Sequence, residues 1–138
     1  MRTALLAAAL FLPAVAADAA ASPTPVSGRW ITEEGKALVE VGPCGQQICG
    51  RIVRILKVDP SKPTTDVLNP NAALRTRPIV GMVFLTGFTP DDDRWRGRIY
   101  DPQSGKTYRS ELIRDGETLK VRGCIGPFCR TQEWAAAR

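Results

Sequence analysis

The chain has 138 residues, with 19 Lys+Arg against 14 Asp+Glu for a formal net charge of +5, four cysteines and no histidine. The missing imidazole excludes Ser-His-Asp and Cys-His nucleophile machinery, histidine general bases and histidine-ligated metals. The length fits one domain with one modest core, and the basic excess suits either an anionic envelope component or plain solubility.

The N-terminus reads "MRTALLAAALFLPAVAADAA". Arg2, an apolar run from Ala4 to Leu12, Pro13 and then small-residue steps describe a secretory signal peptide over 1–21, cut between 16 and 21. The run is shorter than the ~20 residues a helix needs to span a bilayer. No second run of that length follows, so no integral membrane segment is expected in the mature chain. Residues 22–138 are then a single exported domain, periplasmic or secreted, where nucleic acid is not an expected partner.

Past the extended leader "SPTPVS" (22–27), strands and turns alternate. Strand patterns run over 28–33, 36–42 and 48–58, the last two separated by the first cysteine turn. An irregular excursion follows at 59–78. It is broken by one helical signal, "NPNAALR", with Asn69 as N-cap and Pro70 at the first helical position. Strands resume at 79–88, 94–101, 106–115, 118–124 and 130–134, with "TPDDD", "PQSG" and "GE" as turns. Eight sequential strands with one long link predict an all-β, up-and-down antiparallel barrel that removes its own edges. One short helix is expected in the connection 59–78.

The cysteines fall in two runs of equal spacing, Cys44 to Cys49 and Cys124 to Cys129. An even count in an oxidising compartment reads as disulfides. C-x4-C is wider than the usual zinc knuckle, so no metal is expected. Four cysteines allow three connectivities. Loop entropy favours a long bridge, about 4–5 kcal/mol against ~2 kcal/mol for a short loop. Turn geometry favours Cys44–Cys49 and Cys124–Cys129, and geometry is the stronger argument.

Period-2 alternation assigns the faces. Trp95, Gly97 and Ile99 share one face with Tyr108, Ser110 and Leu112 of the next strand and Leu119, Val121 and Gly123 of the one after. Trp95, Ile99, Tyr108 and Leu112 are the expected interior lining. The outer face carries a basic stripe, Arg96, Arg98, Lys120 and Arg122, relieved by Glu111 through expected cross-strand pairing.

The excursion 59–78 is the one long loop, and long loops in compact domains are often functional. It holds Asp66, Asn69, Arg75 and Arg77. Two arginines beside a capped turn suit a carboxylate or phosphate. The structural alternative is that Asp66 pairs with one arginine and the segment plugs one barrel end. "DDD" at 91–93 reads as a solvated turn. "GRW" places Gly28 and Trp30 where lipocalins put a sealing tryptophan. Arg130 is expected to cover that ring by a cation–π contact of ~0.5–2 kcal/mol.

Taken together, "GRW", "CGQQICGRIV", "DVLNP", "LRTRPIVG", "WRGRIYDPQSGKTY" and Trp134 resemble the exported proteins of domain-of-unknown-function family 2147, over residues 28 to 134. The resemblance implies a lipocalin-like barrel in the bacterial periplasm and no particular activity. The expected function is non-enzymatic binding of a small apolar or amphipathic anionic ligand, with Arg75 and Arg77 at the mouth and no cofactor. The alternative is an envelope interaction module that uses the basic outer face to bind a protein or anionic polymer.

Overall fold

Short turns leave each strand only its sequence neighbour to pair with, and that is the topology found. The structure is a computed structural model that describes residues 11–16 and 22–138, so the expected signal peptide falls largely outside it. The strands are β1 (Gly28–Ile31), β2 (Ala37–Cys44), β3 (Gln47–Ile55), β4 (Val83–Asp91), β5 (Arg94–Asp101), β6 (Lys106–Asp115), β7 (Thr118–Ile125) and β8 (Phe128–Ala136). Each pairs antiparallel with the next, and β1 pairs with β8 to close the barrel. The closing seam is short, Trp30 opposite Ala136 and Ile31 opposite Ala135. One further bond, from Ala137 N–H to the Arg29 carbonyl at 2.9 Å, extends it.

The core follows the alternation on β5–β7, whereas register shifts on both seams of β4 turn Phe84, Leu85 and Phe88 alike to the buried side. Trp30, Val39, Leu85, Phe88, Leu112, Leu119, Val121 and Trp134 are buried. Phe84 stacks on Trp134 with ring centroids 6.1 Å apart. Burying each such side chain stabilises the fold by roughly 1.5–3 kcal/mol. Two glycines let large side chains of the neighbouring strand β4 lie across the sheet. A Cβ at Gly97 would lie 2.6 Å from Phe88 Cγ, and one at Gly50 would lie 2.6 Å from Leu85 Cδ1. The space those glycines leave is therefore filled by the protein's own Phe88 and Leu85.

Both cysteine pairs bridge their own turns. Cys124 and Cys129 are directly opposite in the β7–β8 ladder, with Cα atoms 4.1 Å apart. Cys44 and Cys49 face Gln47 and Gly42 respectively, so their bridge runs diagonally between Cα atoms 5.5 Å apart.

Three expectations change. The helix over "NPNAALR" is a single 3-10 turn, Ala72–Leu74, and its cap is Asn71, whose side chain accepts from Ala73 N–H at 3.1 Å. Asn69 instead donates to Asp66, three residues back, while its Oδ1 accepts from Asn71 N–H, so it shapes the turn ahead of the cap. "TPDDD" is not a five-residue turn. Thr89, Pro90 and Asp91 stay in the ladder opposite Arg96, Trp95 and Arg94, and Arg96 Nε binds Asp91 at 2.7 Å. Opposite charges extend the hairpin to a turn at Asp92–Asp93, with Asp92 at φ 58°. Arg130 does not cover Trp30. Arg114 of β6 does, with Cζ 5.2 Å from the ring centroid, while Arg130 is solvent-exposed and 3.9 Å from Glu33.

Candidate functional site

The barrel has two unlike ends. At the leader end lie the turns β2–β3, β4–β5 and β6–β7, and residues 22–27 are fastened there by strand side chains. Trp30 Nε1 donates to the Val26 carbonyl at 3.0 Å, and Trp95 Nε1 donates to the Thr24 carbonyl at 3.0 Å. Arg114 reaches the Pro25 carbonyl at 3.3 Å. Gly28 sits at φ 149°, where a side chain is strained, so the Gly-x-Trp pattern has a backbone cause. The Trp30 N–H, which burial would otherwise orphan, thus ties down the leader, and the half-buried Trp95 adds a second fastening.

At the loop end, the long connection between β3 and β4 folds back on itself. Thr65 bridges Pro78, and Asp66 N–H donates to the Arg77 carbonyl at 2.9 Å. The Asp66 carboxylate, fully buried, accepts from Tyr100 hydroxyl at 2.6 Å, Asn69 Nδ2 at 2.8 Å and Arg77 Nη2 at 2.9 Å. Arg77 also lies over the Tyr100 ring, 5.7 Å from its centroid. Arg75 Nε donates to the Asn69 carbonyl at 2.8 Å. Burial pushes the Asp66 carboxyl up, but the hydrogen bonds from Tyr100, Asn69 and Arg77 outweigh it and hold it below the ordinary carboxylate value. Burial and the Asp66 charge push the Tyr100 phenol up to about 12. The four groups form a satisfied clamp of an ionised acid and neutral phenol, the arrangement that makes a buried charge tolerable.

The structure thus brings together Asp66, Asn69, Arg75 and Arg77, as the spacing suggested, and adds Tyr100. Tyr100 has the strand parity of Arg96 and Arg98, so alternation alone points it to the outer face. No local signal pairs it with Asp66, which lies 34 residues earlier in the chain. The loop also lands on the β5–β6 turn. Gly105, at φ 70°, packs so closely on the Leu68 carbonyl that no Cβ fits there.

The expected lining residues divide between the ends. Leu112 is fully buried, and Trp95 packs against the core from the leader end. Ile99 packs on the core and Tyr108 is half-buried, cross-strand from it, toward the loop end. Next to them Ser110 is buried and its hydroxyl has no partner among the described residues. Gly123 stands beside Ser110 in the ladder, and a Cβ there would meet only Ile99 Cγ2, at 3.9 Å. This is the roomiest of the inward glycine positions on β3, β5 and β7.

The outer stripe is largely neutralised. Glu111 takes Arg94 at 3.0 Å, Arg122 at 3.5 Å and Arg96 at 3.6 Å, while Lys120 lies 3.9 Å from Asp115. Arg98 has no carboxylate partner among the described residues. A separate surface cleft of about 310 Å³ lies over β1–β3, floored by Ile31, Leu38 and Leu56 and rimmed by Arg29, Arg54 and Arg138. Among the described residues no group of three His, Cys, Asp or Glu side chains is placed to hold a metal ion. None of their helices is long and apolar enough to cross a membrane.

No curated protein matches the chain. Among solved structures, a protein of Helicobacter pylori, HP1028, described as belonging to the lipocalin family, matches with a TM-score of 0.71 and 23% identity. The match covers 83% of this chain and 84% of that one, so the two share a fold. The family profile described as "Uncharacterized protein conserved in bacteria (DUF2147)" spans residues 28–136, from the sealing Gly-x-Trp strand to the last residue of β8, and the chain belongs to that family.

Proposed function

We propose that the protein is a non-enzymatic, exported binding protein that takes a small amphipathic anion at the loop end of its barrel. The observation that carries this is the local shortage of side-chain volume at Ser110 and Gly123, beside the half-buried Tyr108 and the apolar Ile99. The middle of the barrel, by contrast, is filled by Phe88 and Leu85. An apolar tail would lie on Ile99 and Tyr108, and its polar group would relieve the unpartnered Ser110 hydroxyl. Arg77 is spent on Asp66, but Arg75 is held by the Asn69 carbonyl through Nε alone, so the Arg75 Nη groups would meet the charge of the head group. The disulfides and the leader composition support export to an oxidising compartment.

Gly123→Val tests this reading, because the new side chain meets ordinary van der Waals space. Native mass spectrometry of wild-type protein isolated from its own envelope should show a retained small molecule that the variant lacks. An identical apo mass for both rules the reading out.

The 310 Å³ cleft favours a second reading, an interaction module whose outer face binds an anionic polymer or protein segment. Arg54→Gln should weaken that binding and leave the Gly123 experiment unchanged.

A further inference from the structure

The apolar side chains left in solvent are not spread evenly. Beyond the leader, the large exposed ones lie on the long connection, at its two junctions, and on the tip of the β7–β8 hairpin. Val58 is 79% exposed, Leu68 52%, Ile125 64% and Phe128 79%. All of these segments belong to the loop end. The leader end shows none of them; its turns carry Asp91, Asp92, Asp93, Asp115 and Glu117, all exposed.

The tip itself is built to stay extended. The Cys124–Cys129 bridge closes it directly below Ile125 and Phe128. Arg109 Nη2 donates to the Gly126 carbonyl within the turn. Arg109 also lies directly opposite Arg98 across β5–β6. Like charges placed opposite one another are destabilising, and neither has a carboxylate partner among the described residues. A rigid apolar point beside an uncompensated pair of guanidinium groups is complementary to one kind of surface, where anionic head groups sit above hydrocarbon. At the far end Asp91, Asp93, Asp115 and Glu117 are each within 4 Å of a basic side chain, so the apolar tip and the Arg98–Arg109 pair set the orientation.

We propose that the protein docks end-on on an anionic phospholipid bilayer, inserting Ile125 and Phe128 between head groups whose phosphates Arg98 and Arg109 hold. Docking does not require a ligand in the barrel, since Gly123 and Tyr108 take no part in it. The contact is peripheral and reversible, as two inserted side chains fall far short of a membrane span.

Vesicle co-sedimentation of the exported, processed protein tests it, with vesicles of phosphatidylglycerol and phosphatidylcholine against phosphatidylcholine alone. Binding is expected only to the anionic vesicles, and weaker at high salt. Ile125→Ser with Phe128→Ser should lower the affinity about a hundredfold, and Arg98→Gln with Arg109→Gln about tenfold or more. Phe128→Trp should acquire quenching by brominated acyl chains. Gly123→Val should bind as wild type does. Equal binding to neutral vesicles, no binding to either, or undiminished binding by the Ser variant would overturn the proposal. So would loss of binding in Gly123→Val, which would assign vesicle recruitment to lipid captured inside the barrel.

Discussion

The leader end and the loop end of this barrel are closed by different physics. At the leader end, aromatic side chains pack in the core and spend their N–H groups on the carbonyls of residues 24 and 26. At the loop end, a buried carboxylate gathers Tyr100, Asn69 and Arg77 and folds the long connection around itself. The first closure is apolar with polar fastenings. The second is polar throughout and depends on every partner being present. An apolar seal degrades in proportion to the area lost. A satisfied charge network fails when one member goes, because the remaining groups are left buried without partners.

Perturbing each end in turn sharpens that contrast. Trp30→Ala removes one of the two largest fully buried side chains and frees the Val26 carbonyl and Arg114. Denaturant unfolding should show a loss of about 4 kcal/mol. Hydrogen exchange should rise first in residues 22–31.

Asp66→Ala should cost about 3 kcal/mol, from Arg77 and Tyr100 left unpaired, with faster exchange confined to residues 56–82. The pH response belongs to the same clamp. The Asp66 carboxyl is depressed, so its contribution is present above the ordinary aspartate value and is lost as pH falls through the lowered one. The Tyr100 phenol is raised, so its contribution is present below the ordinary tyrosine value and is lost as pH rises through about 12. Wild type should therefore lose stability at both extremes, and Asp66→Ala should show a flatter profile in thermal melts across pH.

The smallest effect should come from the bridges. Replacing Cys124 and Cys129 by serine should cost ~2 kcal/mol, about the same as the Cys44 and Cys49 pair, because loops of equal length give up equal entropy. Only the Cys124–Cys129 replacement should mobilise Ile125 and Phe128, visible as a drop in NMR order parameters at the β7–β8 tip. Equal mobility in both variants would separate the tip's shape from its disulfide.

Strand content, chain order and both disulfide pairings were legible in the residues themselves. Alternation, turn chemistry and equal cysteine spacing are local properties, and β5 and β6 fall on the expected residues 94–101 and 106–115. The gathering of Asp66, Asn69, Arg75 and Arg77 was legible too, because those residues are close along the chain. Tertiary structure alone decided that Tyr100 completes the clamp and that Arg114 and not Arg130 lies over Trp30. Each of these depends on which strands the closed cylinder carries to a given height and side. Pairing order alone does not fix that, since it follows from the stagger of the strands around the barrel. The apolar and acidic ends are likewise a product of topology, which sorts alternate turns to opposite ends of the barrel.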